Sequence, residues 1–162
     1  MSEFDSLVTE LLATCRQQGL RIATAESCTG GLVAAALTEI AGSSDVYVGG
    51  VNAYANDAKT TLLGVPAALI AREGAVSAAV ARAMAEGARQ SLGVDIAVSI
   101  TGIAGPGGGS LDKPVGLVWF GLAIKDGDSR ALERRFGAIG RAMVRRDSVK
   151  QALQLLVEAC AP

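Results

Sequence analysis

A single three-layer α/β/α domain with a mixed, mostly parallel sheet is the fold class this sequence predicts, and three observations carry it. Helical stretches alternate with short apolar runs along the chain, the pattern of helices packed on a sheet. The runs Val94–Ile100 and Val115–Ile124 show little alternation, as strands covered on both faces do. The chain of 162 residues, half of them apolar, suits one core rather than two.

Each element has its own reason. Phe4, Leu7, Val8, Leu11, Leu12 and Cys15 recur at helical spacing, and Gly19 stands where that helix stops. Arg21–Ala25 reads as a short strand; the turn AESCTGG (Ala25–Gly31) follows, and LVAAALTEI reads as a helix ending near Gly42. Val46–Ala55 is β-branched and aromatic but interrupted by Gly49 and Gly50, which predicts a strand with a bulge or a close backbone approach. Asn56–Leu63 reads as a short helix. Ser77 is a suitable N-cap for a helix whose face is Val80, Ala81, Met84, Ala85 and Ala88, closed by Gly93. Val94–Ile100 and Val115–Ile124 are the expected central strands, and Leu132–Phe136, with Glu133, Arg134 and Arg135, an edge strand joined in a hairpin-like way. A final helix spans about Arg141–Cys160, with Val149, Ala152, Leu153, Leu156, Val157 and Cys160 as its buried stripe.

Composition narrows the function. Lys plus Arg number 15 against 16 Asp plus Glu, so the broad basic face that a nucleic-acid backbone needs is not indicated. Cys15, Cys28 and Cys160 are widely spaced with no CxxC pair, which argues against a disulfide framework or zinc site and for reduced thiols. The start of the chain lacks the basic head and apolar run of a signal peptide, and no stretch reaches transmembrane length. A cytoplasmic location, no membrane partner and a symmetric homodimer are the expectations.

There is no histidine, so any acid–base chemistry must use another side chain. Two loops nonetheless have the character of ligand seats. AESCTGG joins a strand to a helix, where the N–H groups of Cys28–Gly31 should lie at a positive helix end; the alternative is plain capping by Ser27 or Thr29. TGIAGPGGG (Thr101–Gly109) follows a strand, and its glycines allow close backbone approach to a ligand; a surface turn is the alternative. It is neither a Walker loop nor a dinucleotide fingerprint. Two strand-end loops in one small domain favour a site jointly.

A serine nucleophile here needs a base, and lysine serves when its surroundings favour the neutral amine. Only Lys59, Lys113, Lys125 and Lys150 exist, and Lys59 lies in YANDAK beside Tyr54. A solvated helix face is the competing reading of that lysine. Arg141, at the start of the last helix, is opposed by the helix dipole unless it serves an anion; a solvated patch with Arg145 and Arg146 is its alternative. Cys28 reads as a packing residue ahead of a nucleophile, because no histidine can complete a Cys–His pair.

AESCTGG, IAGSS (Ile40–Ser44), YANDAK (Tyr54–Lys59), GAVS (Gly74–Ser77) and VSITGIAGPGGG followed by KPVGLVWFGLA together resemble the CinA C-terminal domain family, the nicotinamide-nucleotide amidases. The resemblance covers about Leu7–Leu156 and looks like the stand-alone form. It implies hydrolysis of the carboxamide of nicotinamide mononucleotide to nicotinate mononucleotide and ammonia by a serine–lysine pair, without cofactor or metal. It assigns Ser44 as nucleophile, Lys59 as base and Tyr54 as an orienting or relaying hydroxyl, with Ser27 the rival nucleophile. Substrate binding falls to Ser27, Thr29, Gly30, Gly42, Thr101, Gly102, Gly105 and Arg141, the last with the glycine loop holding the ribose phosphate. Gly49, Gly50, Ala55 and Asp57 depart from the family's usual residues and bear on local substrate contacts. A non-catalytic nucleotide-binding module and an interaction protein linked to competence or DNA damage are the other readings.

Overall fold

Helix α1 (Asp5–Gln18) buries Val8, Leu11, Leu12 and Cys15 on one stripe and stops at Gly19, whose φ of 68° is left-handed. The structure, a computed structural model, describes residues 2–162. After α1 come β1 (Ile22–Glu26), α2 (Leu32–Thr38), a 3-10 turn (Ser43–Asp45), β2 (Tyr47–Asn52), α3 (Asn56–Leu63) and α4 (Ala67–Glu73). The remainder is α5 (Ala78–Leu92), β3 (Ile96–Gly102), β4 (Leu117–Ile124), β5 (Arg130–Arg135) and α6 (Arg141–Cys160).

The strands form one open sheet in the order β2-β1-β3-β4-β5. β1 pairs parallel with β2 and β3, and β4 is antiparallel to both its neighbours, so four strands share one direction and β4 opposes them. This is the expected mixed α/β sheet. Helices α1, α2 and α6 cover one face around Ile22, Val98, Phe120 and Leu153; α3, α4 and α5 cover the other around Ala25, Leu63, Met84 and Ala97. Each fully buried Leu, Ile, Val or Phe in these layers contributes about 1.5–3 kcal/mol relative to exposure.

Local expectations meet the structure closely. Ser77 accepts the Val80 N–H at 3.3 Å as N-cap, and Gly93 closes α5 at φ 62°. The register slips between Ile22 and Ala23, which face Tyr47 and Gly49, so Val48 is the extra residue of a bulge in β2. The close approach is also real: a Cβ on Gly50 would overlap the paired hydroxyls of Thr24 and Tyr47, 2.9 Å apart. Most bounds shift by a residue or two, with β5 starting at Arg130 rather than Leu132, but α2 stops at Thr38, short of the expected end near Gly42, and β2 stops at Asn52 rather than Ala55. Helix α4 had no counterpart among the expected elements. Its seven residues between Pro66 and Gly74 give too few turns for a periodicity to register.

Candidate active site

The site lies where the sheet's connections reverse. From β1 the chain crosses to β2 on one side and later returns to β3 on the other, which opens a crevice at the carboxyl ends of these parallel strands. Ser27 follows β1, Ala53 and Tyr54 follow β2, and Thr101 and Gly102 end β3. A cavity of about 230 Å³ opens there, lined by Ser27, Cys28, Tyr54, Lys59, Thr101 and Arg141 among others.

Lys59 stands at the fourth position of α3, and a helical side chain leans back toward its helix N-terminus. Its stem therefore crosses beneath the strand end. The Nζ lies 3.1 Å from Ser27 Oγ, 3.1 Å from the Ala53 carbonyl and 3.0 Å from the Tyr54 carbonyl. Lys59 is only 1% exposed, and no carboxylate lies within ion-pair distance among the described residues. Burial lowers its pKa from the ordinary lysine value, opposed only by a weaker influence of Cys28. In this arrangement Nζ donates to the Ser27 hydroxyl and to both carbonyls; a neutral amine would keep two N–H groups on the carbonyls and turn its lone pair to the Ser27 hydroxyl.

Ser27 is itself fixed by its neighbours. Its N–H donates to the Ile100 carbonyl at 2.9 Å, continuing the β1–β3 ladder. The preceding Glu26 is 1% exposed, and its two carboxylate oxygens accept the N–H groups of Val33 (2.9 Å) and Ala34 (3.0 Å). The Glu26 carbonyl also accepts the Ala53 N–H, joining this turn to the segment that holds Lys59. The charge expected to be drawn to the start of α2 is thus supplied by the chain's own Glu26. The Gly30 N–H is likewise occupied, by the Ser27 carbonyl at 3.0 Å.

What remains open in the turn is narrower than Cys28–Gly31. Arg145 donates to the Cys28 carbonyl at 3.1 Å and the Thr29 carbonyl at 3.3 Å. Because a trans peptide points its C=O and N–H oppositely, this turns the Thr29 N–H away from Arg145. The Ser27 carbonyl, engaged by Gly30, orients the Cys28 N–H in the same manner. The Cys28, Thr29 and Gly31 N–H groups have no acceptor among the described residues. The Thr29 hydroxyl is buried and unpartnered among them too.

The remaining expected residues divide into those at the pocket and those away from it. Thr101 is buried on the pocket wall, its hydroxyl donating to the Ala75 carbonyl at 2.9 Å; Gly102 lines the same wall. Arg141 donates to the Gly105 carbonyl at 2.9 Å and to the Tyr54 hydroxyl at 3.0 Å, bridging the glycine loop to Tyr54. Tyr54 therefore meets Lys59 through its carbonyl, while its phenol meets Arg141. Gly30 is exposed beside Arg145. Burial pushes the Cys28 thiol up to about 12, so it is a thiol and not a thiolate, as a packing residue should be.

Ser44 is not brought to Lys59. It is exposed on the 3-10 turn that precedes β2, whereas Ser27, Tyr54 and Lys59 gather beyond the strands' carboxyl ends. Gly42 belongs to the same opposite edge, where its carbonyl accepts from Arg16 at 2.9 Å. The pairing of Ser44 with Lys59 is therefore corrected to Ser27 with Lys59. Among the departures, Gly49 packs by Leu92, Ala55 sits at the N-cap of α3 without a side-chain cap, and Asp57 is exposed in its first turn. Glu26 and Arg145, which hold this turn, were not among the expected site residues. An acid directly before a glycine turn and an arginine one helical turn after Arg141 were the available signals.

The family model for the CinA C-terminal domain matches residues 4–160. A CinA-like protein of Synechococcus sp. (strain RCC307) is 60% identical over 153 residues, covering 94% of this chain and 36% of that protein. One from Mycolicibacterium vanbaalenii is 54% identical over 155 residues, covering 96% of this chain and 35% of that protein. The crystal structure of a competence/damage inducible protein from Agrobacterium tumefaciens superposes with a TM-score of 0.94 at 45% identity, covering 98% of this chain and 96% of that one. The competence damage-inducible protein A of Klebsiella pneumoniae gives 0.91 at 35% identity, covering 97% and 96%. The α/β fold is thus shared with a known group of solved proteins, and the chain belongs to the CinA C-terminal domain family. It spans about a third of the length of the curated relatives it matches. No helix among the described residues is long and apolar enough to cross a membrane.

Proposed function

We propose that this domain hydrolyses the carboxamide of nicotinamide mononucleotide, giving nicotinate mononucleotide and ammonia, with Ser27 as nucleophile and Lys59 as general base. The observation that carries the reading is the buried Lys59 amine 3.1 Å from the Ser27 hydroxyl, in a cavity, with no counter-ion among the described residues. Ser27 Oγ attacks the amide carbon as its proton passes to Lys59 Nζ. The resulting oxyanion falls to the Cys28 and Thr29 N–H groups, where one prearranged donor is worth about 3 kcal/mol. Lys59 then returns the proton to the departing nitrogen, ammonia leaves, and an ester on Ser27 remains. Water, deprotonated by the neutral amine, cleaves that ester and frees the acid and Ser27. Among these groups Tyr54 supports the base through its carbonyl and anchors Arg141 through its phenol.

The cavity is smaller than the ~300–1,000 Å³ of most complete ligand sites, so it suits the reacting pyridine amide, with the sugar phosphate at the mouth edged by Arg141, Thr101 and the loop through Gly105. Ammonia release measured across nicotinamide, its riboside and its mononucleotide tests the reading. Turnover with the mononucleotide, lost in Ser27→Ala and Lys59→Ala, is expected. Saturable binding with no ammonia from any of the three would leave a nucleotide-binding module instead. The solved relatives are named as competence/damage-inducible proteins, which is said of those proteins and supports an interaction role here only if a partner is captured.

A further inference from the structure

Cys15 and Cys160 lie 145 residues apart in sequence, yet their Sγ atoms meet at 3.0 Å where α1 packs on the end of α6. Both thiols are free, and both side chains are buried, at 0% and 1% exposure. Neither sulfur takes part in the proposed chemistry, which gathers at the carboxyl ends of β1, β2 and β3. We propose that Cys15 and Cys160 are an oxidisable pair, converted by a small peroxide into an internal disulfide that staples α1 to α6.

The step balances with one peroxide. Cys15, whose pKa is lowered by its hydrogen bond with Cys160 against the opposing cost of burial, supplies the thiolate. Its sulfur attacks one peroxide oxygen, breaking the O–O bond and releasing water once the leaving oxygen is protonated, and becomes a sulfenic acid. The Cys160 sulfur then displaces that oxygen as a second water, and its own proton leaves with it. Two thiols are oxidised and the peroxide is reduced to two waters. Burial sets the access: the oxidant must enter when the last turn of α6, whose final carbonyls lack partners within the helix, opens locally. The remaining thiol, Cys28, has no sulfur partner among the described residues and serves as the internal control.

The staple also bears on the candidate site. Helix α6 carries Arg141, which reaches Gly105 and Tyr54, and Arg145, which holds the turn after Ser27. Tying its far end to α1 secures the helix without entering the pocket, so oxidation raises thermal stability and leaves the pocket intact.

The test treats the native protein with hydrogen peroxide, removes the peroxide, alkylates the remaining thiols in denaturant, and reads the intact mass and the linked peptides, with the melting temperature taken on an unalkylated portion. The expected result is loss of two hydrogens in mass, one alkylated thiol instead of three, a cross-link between the Cys15 and Cys160 peptides, and a melting temperature raised by several degrees. Cys15→Ser and Cys160→Ser should each abolish both the cross-link and the shift. If wild-type protein keeps three alkylatable thiols while an exposed reference thiol in the same tube is consumed, the pair is not oxidisable. A cross-link to Cys28, or sulfinic acid at either position in place of the cross-link, also overturns the proposal. None of these readouts depends on amidase activity.

Discussion

Replacing Ser27 by alanine separates chemistry from architecture, because the residue's structural and proposed catalytic roles differ greatly in size. Alanine keeps the Cβ and the N–H that donates to the Ile100 carbonyl, so the strand-end turn persists. What is lost is the Oγ contact with Lys59 at 3.1 Å and a long 3.4 Å contact with the Tyr54 carbonyl. A hydrogen bond of this kind contributes about 1 kcal/mol net, equivalent to roughly 2–4 °C in melting temperature for a chain of this size. Removing a nucleophile, by contrast, costs on the order of 10⁴-fold or more in kcat, about 5 kcal/mol of transition-state stabilisation. Ser44→Ala is the matched control: it is exposed on a turn, so stability moves within about 0.5 kcal/mol and turnover is unchanged. Ammonia release and thermal unfolding on the same preparations supply both readings. Normal turnover by Ser27→Ala, or loss of turnover confined to Ser44→Ala, would refute the assignment of the pair.

The Lys59 amine must be neutral to act as base, and burial has lowered its pKa, so the rate should rise with pH through that lowered value and then level off. Lys59→Met should cost about 10²–10⁴-fold in kcat, read from initial rates of ammonia release. Stability carries the same sign: between the lowered folded pKa and the ordinary unfolded one the unfolded chain binds more protons, so stability increases with pH there and that contribution disappears as pH falls through the folded value. Denaturant titrations of wild type against Lys59→Met across pH should show this difference, and a pH-independent gap would contradict it. Glu26→Gln leaves one of the Val33 and Ala34 N–H groups without its acceptor, since an amide nitrogen cannot accept; a loss of about 1–3 kcal/mol and a fall in kcat with the displaced turn are expected, measured by unfolding and turnover. Gly121→Ala tests the core alone. A Cβ there would overlap the Ala81 carbonyl and the Ser99 hydroxyl that joins β3, β4 and α5, so a loss of about 1–3 kcal/mol or more should appear as a lower melting temperature.

Local patterns determined most of the architecture. Apolar periodicity, caps at Ser77, Gly19 and Gly93, and the glycine interruption in β2 are short-range signals, and each corresponds to a feature of the folded chain. Lys59 and the loop beginning at Ser27 came forward through the resemblance of their motifs to the family, since the residue types alone also read as a solvated lysine and a helix cap. Partnership was not legible. Which serine meets Lys59 depends on the edge of the sheet at which each loop emerges, and parallel pairing sends the turn after β1 and the start of α3 to one edge while Ser44 goes to the other. The carboxylate that occupies the start of α2, the arginine that turns the peptides after Ser27, and the meeting of Cys15 with Cys160 are likewise contacts across long stretches of chain. Such contacts exist only once the layers have packed, so a sequence fixes their possibility through residue type and tertiary structure alone selects the pair.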